Sequence, residues 1–409
     1  MLFTLFIVVL FRIGSVIPVP FVNAAMLDQA FSQSGSLFAY FNILSGDAFS
    51  KATLFALSIS PYITASIVIQ LLTIAIPALE RLSKQGEDGR KKLTQITRYC
   101  TVALALITSV GYYTYLRSYQ MLTENGLFEA IVIIACYCAG ASIIMWLAEK
   151  INEFGIGNGI SIILFANIVA SLPNMLYAAF VRAGTNATLG ILIPVFTIVV
   201  LAAMILFIVF VTNAERRLPV QYAKRQVGRK LYGGQSTYLP MKLNMSGVMP
   251  IIFASSIAAI PTTLALIIQP KAGSIWDHIV KFFSSTSPVY MVLYFILIIG
   301  FSYFYLAISF NPIEIANNLK NNGGFIPGIR PGKPTTDYIT KILGRVTLIG
   351  AIFLGIVATL PLIIGMINTD LSGLAFGGSS LLILVSVALE TFKEVEGQMT
   401  MRHYKGFLE

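Results

Sequence analysis

The chain has 409 residues, 56% hydrophobic and only 11% charged, with a mean hydropathy of +0.80 and a formal net charge of +10. A soluble domain of this length carries about 25% charged residues, so the composition excludes one and describes a protein that crosses a membrane several times. Apolar runs of about 20 residues, instead of alternating ten-residue segments, favour helices over a β-barrel.

The opening run MLFTLFIVVLFRIGSVIPVP (1–20) reads as a retained first span. It is too long for a signal-peptide core and lacks an A-x-A-like exit. Arg12 lies inside it and reads as a structural tie between helices. The second span, 54–76, contains LSISPYITASIVIQLL (57–72), in which Ser58, Ser60, Pro61, Thr64, Ser66 and Gln70 interrupt an apolar helix. A helix that only anchors has no need of them. This one is expected to face something other than lipid, with Pro61 near its middle loosening the backbone. Eight further spans are expected at 99–117, 127–148, 156–177, 189–212, 245–268, 289–311, 340–366 and 374–392.

With the amino terminus in the cytoplasm, five of the 28 Lys and Arg fall in external loops, Arg12 lies in a span, and the other 22 face the cytoplasm. That asymmetry sets both termini inside. Two cytoplasmic loops, 213–242 and 314–341, are long, basic and rich in Gly, Pro, Tyr and Gln, a mixture suited to a docking surface. Ten spans divide into two sets of five, the second inverted relative to the first, so a site is expected at their interface near the membrane midplane. The halves are taken as 1–178 and 179–409, with a cytoplasmic tail from about 393. Each has an interrupted span, SISPYITAS in the first and SGVMPIIFASS in the second.

Catalytic chemistry finds no footing. His278 and His403 are the only histidines, no H-E-x-x-H is present, and none of the six aspartates falls in an expected span. Cys136 and Cys138 point to different helix faces, and with Cys100 they show no metal spacing. GIGNG (155–159) lacks the dinucleotide spacing and reads as a loop and helix start. In PGKPT (331–335), Pro327 stands where a phosphate loop needs its first glycine. Only Arg12, Glu149 and Glu390 could serve ion coupling, which speaks against a secondary transporter. The chain is therefore expected to be no enzyme and to carry no metal or cofactor.

The segments LFRIGSVIPVP, FALSISPYITASIVIQLL, WLAEKINEFGIGNGISI, YLPMKLNMSGVMPIIFASS, GGFIPGIRPGKPT and GGSSLLILVSVALE resemble, in order and spacing, the signature segments of the SecY family of protein-translocation channels. The resemblance departs at Phe21 and Ser58, where the family usually has glycine, and at Ser386, where glycine or an aliphatic residue is more usual. It implies an all-α fold, with ten transmembrane helices in two inverted halves around an hourglass pore. The waist would be a ring of Ile59, Ile63, Ile160, Leu164, Ile252 and Ile383. Branched aliphatic groups give water and ions no partner, yet fold around a peptide of any sequence.

The resemblance also implies a plug at about 41–52, formed by Phe41, Asn42, Ile43, Leu44, Ser45, Gly46, Asp47, Ala48, Phe49 and Ser50, as a helix too weak to span. It implies a lateral gate at Pro61, Thr64, Gln70 and Asn244, with Gln70 and Asn244 paired across the seam. Arg216, Arg217, Lys224, Arg225, Arg330 and Lys333 would dock the motor ATPase SecA and the ribosome. SecE-like and SecG-like membrane subunits, signal sequences, nascent polypeptides and membrane lipids would be the other partners, in a bacterial plasma membrane.

Overall fold

A computed structural model of the chain describes residues 1–23, 42, 45–118, 120–124, 126–184, 192–222, 225–227, 230–232, 236–267, 274–283, 287–367 and 377–405. The first half contains α1 (Leu2–Gly14), α2 (Ser60–Ala75), α3 (Pro77–Lys84), α4 (Glu87–Ser118), α5 (Leu127–Phe154) and α6 (Gly159–Gly184). The second contains α7 (Leu192–Asn213), β1 (Glu215–Tyr222), β2 (Arg225–Val227), β3 (Lys230–Tyr232), β4 (Ser236–Lys242), α8 (Met249–Ala258), α9 (Ile260–Ile267) and α10 (Ile275–Phe282). It continues with α11 (Pro288–Ser309), α12 (Pro312–Asn321), β5 (Gly324–Phe325), α13 (Lys333–Ile367) and α14 (Gly377–Lys405).

Each of the ten expected spans carries a helix, but their ends moved. By length and composition, four helices among the described residues can each cross a membrane, or five if the bent pair α2–α3 is one span. α1 is 13 residues long, a rise of about 20 Å, because Pro18 and Pro20 cannot continue a helix. The chain instead runs extended, with Val19 N–H donating to the Ala52 carbonyl and Leu54 N–H to the Ile17 carbonyl. α2 starts only at Ser60, so Pro61 stands in its first turn, where its missing N–H costs nothing. The expected mid-helix loosening at Pro61 is therefore corrected. The sharp bend lies at the other end, where α2 and α3 meet at 101° across Ile76 and Pro77.

α4 runs well past its apolar part at its amino-terminal end. There Arg98 Nη2 meets Glu149 Oε2 of α5 at 2.7 Å and Arg98 Nε donates to Glu149 Oε1 at 2.9 Å. This two-point pair fixes α4 against α5.

Neither long loop is a plain tether: the described part of 213–242 is strands, and 314–341 carries most of α12, then β5, then the start of α13. Leu218 and Val220 alternate with exposed residues along β1, the period of a strand with one covered face. β1 pairs antiparallel with β4 on one side and with β5 on the other, through Gln221↔Phe325 and Tyr222↔Gly324. The two loops thus share one sheet. Beneath it Leu218, Val220, Met241, Ala316, Leu319, Ile326 and Ile339 form a separate core.

Candidate functional site: an aliphatic waist, its plug and the seam

The largest core joins the two halves. Ile59, Ile63, Leu164, Ile252 and Ile383 are buried in one contiguous cluster, and Ile160 packs against it half-buried. They arrive from α2, α6, α8 and α14, with Ile59 in the turn before α2. Local signals mark three of these helix starts. Asn152 Oδ1 accepts from Gly159 N–H at 2.7 Å and Asn158 Oδ1 from Ile160 N–H at 3.0 Å, which begins α6 just after GIGNG. α2 and α8 both take a proline in their first turn, Pro61 and Pro250.

The segment expected to be the plug places Phe49 in a second cluster, with Val19, Ala52, Tyr112 and Tyr137. Phe41, Ile43 and Leu44 fall outside the described residues; Asn42 and Ser45–Ser50 are described. Asn42 and Ser45 are helical, and Gly46 to Ser50 form turns, because Gly46 (φ 62°) and Asp47 (φ 68°) are left-handed. Asn42 holds the turns together. Its Nδ2 donates to Asp47 Oδ1 at 3.0 Å and its Oδ1 accepts from Ser50 N–H at 3.0 Å. The trailing end is anchored by aromatics: Tyr112 Oη donates to the Phe49 carbonyl at 2.7 Å, its ring 4.5 Å from Phe49 and 5.0 Å from Tyr137.

The seam between halves is formed by α2 and α4 against α8 and α9. It holds a cavity of about 160 Å³, lined by Pro61, Thr64, Leu104, Ser256, Thr263 and Leu264 among others. Pro61 and Thr64 both line it. The expected Gln70–Asn244 pair does not form. Gln70 is exposed and Nε2 donates to Ser66 Oγ at 3.2 Å. Asn244 precedes α8 by five residues, because that helix begins only at Met249. It is buried beside α13, where a methyl on Gly350 would stand 3.8 Å from its Cα, and its amide atoms have no hydrogen-bond partner among the described residues.

Arg216 and Arg217 are exposed on β1, Arg217 Nε donating to Glu215 Oε1 at 2.7 Å. Arg330 and Lys333 are exposed in the turn that enters α13, which Thr335 Oγ1 secures by donating to the Arg330 carbonyl at 2.8 Å. Lys224 falls outside the described residues, and Arg225 begins β2. The β1–β5 pairing gathers both loops' basic residues on one body.

Sequence reasoning passed over Asn167 and Tyr112. Asn167, fully buried on α6, donates from Nδ2 to Ser58 Oγ at 3.1 Å. Its signal was an amide flanked on both sides by apolar residues, in FANIV (165–169). Two of the glycine departures find a physical meaning here: Phe21 (φ 66°) and Ser58 (φ 51°) are left-handed, a conformation costing a side chain roughly 1–2 kcal/mol. Ser386 is buried with Oγ unpartnered among the described residues.

A family model described as SecY matches residues 53–392. The protein translocase subunit SecY of Streptomyces galbus is 44% identical, over 100% of this chain and 96% of the relative. That of Mycobacterium tuberculosis is 43% identical over 100% and 96%. A solved structure described as a protein conducting channel aligns with a TM-score of 0.69 at 17% identity, over 98% of this chain and 92% of the other. Sec61 in the canine ribosome-channel complex from the endoplasmic reticulum aligns at 0.66 and 16%, over the same shares.

Proposed function

The chain belongs to the SecY family, and on that footing we propose that it passes unfolded secretory polypeptides across the membrane and releases apolar segments sideways into lipid. The observation that carries this reading is the convergence of aliphatic side chains from four helices and both halves on one core. Such a constriction resists water and ions by dewetting, and it accepts any sequence because dispersion contact is non-directional. Asn42 and Ser45–Ser50 act as the plug that leaves when a chain enters. α2 and α4 part from α8 and α9 along the cavity at Pro61 and Thr64. A segment of about 20 apolar residues then partitions into lipid, and a polar one continues through.

The exposed Arg216, Arg217, Arg330 and Lys333, with Lys224 and Arg225, form a docking face for a motor ATPase of the SecA kind and for the ribosome, whose RNA phosphates bind basic side chains in a salt-sensitive way. Small membrane subunits of the SecE and SecG kinds complete the complex. The complex sits in the bacterial plasma membrane with both termini of this chain in the cytoplasm.

The test is crosslinking. Cysteine at Ile63 or Ile252 should react with a probe on an arrested secretory chain, whereas cysteine at the lipid-facing Leu106 should not. Reaction at Leu106 alone would overturn the pore reading.

A further inference from the structure

One buried amide touches both parts that the reading above requires to move. Asn167 Nδ2 donates to Ser58 Oγ, in the left-handed turn from which α2 departs. On its other side lies Gly46 of the plug. A methyl placed on Gly46 would stand 2.9 Å from Asn167 Oδ1 and 3.1 Å from Asn167 Cα. The same methyl would stand 3.0 Å from Arg12 Nη1, which comes from α1. That nitrogen is buried with no hydrogen-bond partner among the described residues. The plug turn at Gly46 is therefore walled by an amide bonded to the gate helix and by an unsatisfied guanidinium N–H.

We propose that Asn167 is a positioning residue that couples the gate helix α2 to the plug; the proposal rests on the gate and plug reading above. With α2 in place, the Ser58 hydroxyl holds the amide and the amide holds the Gly46 turn. When α2 swings aside, Ser58 Oγ withdraws, the amide loses that hydrogen bond, and the surface on which Gly46 packs is loosened. Arg12 supplies a standing bias. Water admitted as the plug leaves solvates Nη1, which has no hydrogen-bond partner among the described residues. Opening of the seam and unseating of the plug thereby become one event.

The test measures resting chloride efflux from proteoliposomes holding the purified complex, with the three native cysteines replaced by alanine. A deletion of residues 42–50 sets the unplugged level. Asn167→Ala should raise resting efflux at least fivefold toward that level. Ser58→Gly should do likewise without a fall in thermal midpoint, since glycine accepts the turn. The double variant should leak no more than the leakier single variant, because both remove one contact. With Thr64→Cys and Thr263→Cys bridged by a short bifunctional thiol reagent, a signal peptide should leave the parent sealed, while Asn167→Ala still leaks. Should Asn167→Ala and Ser58→Gly both stay as tight as the parent while the deletion leaks, the coupling is overturned and the plug stands. Should the deletion itself stay tight, the plug reading fails and the coupling falls with it.

Discussion

At the start of α2, Ser58 holds a φ of 51°, Ile59 follows at −85°, and Pro61 stands in the first helical turn. At the start of α8, Gly247 holds 61°, Val248 follows at −90°, and Pro250 takes the equivalent place. The backbone route is the same; what sustains it is not. Gly247 has open space around it and adopts its left-handed geometry without a steric cost. Ser58 is buried and carries a side chain where one is unfavourable, with Asn167 bonded to its hydroxyl. α8 thus begins by virtue of its own sequence, and α2 begins by virtue of a neighbour. The helix whose start depends on a partner is the one that can respond to that partner.

The comparison can be broken most forcefully at the residues that follow each turn. Ile59 and Val248 are both buried, at 1% and 2% exposure, in the same core. Ile59→Ala should cost about 2–4 kcal/mol and Val248→Ala about 1–2.5 kcal/mol, from lost contacts plus the cavity left behind. Both are read as a lower thermal midpoint of the complex in detergent. A larger drop for Val248→Ala would show that the core rests on α8 rather than on α2.

A smaller effect sharpens the glycine side. Gly247→Ala meets no neighbouring atom, so packing alone forecasts no change. Its left-handed φ instead forecasts a loss of about 1–2 kcal/mol. An unchanged midpoint would mean that α8 has another way to start. The smallest effect is expected at the serine. Ser58→Gly relieves about 1 kcal/mol of backbone strain and gives up a hydrogen bond worth about the same, so net stability should shift by under about 0.5 kcal/mol. A drop of several degrees would show that the hydroxyl does more than support the turn.

The sequence made the helical membrane class legible because burial in lipid demands long apolar runs, and these survive any detail of packing. The positions of Ile59, Ile63, Leu164, Ile252 and Ile383 were legible through the motifs around them. Helix starts were not. Residues 54–59 are as apolar as the helix that follows, so hydropathy drew α2 six residues too early and left Pro61 looking like a kink. The same cause placed Asn244 at a helix start it precedes by five residues. The β1–β5 pairing joins segments about a hundred residues apart, and a two-residue strand such as Gly324–Phe325 leaves no periodic trace. Asn167 escaped because an amide within an apolar run has no register to mark which neighbour it meets.

The short ladder between Gln221–Tyr222 and Gly324–Phe325 carries a mechanical consequence. Two separate tethers would each yield when pulled, absorbing thrust from a cytosolic engine as slack. Stitched edge to edge and backed by Leu218, Leu319 and Ile339, they become a stiff handle. A push at Arg330 would then be shared between α7, which feeds β1, and α13, which begins at Lys333.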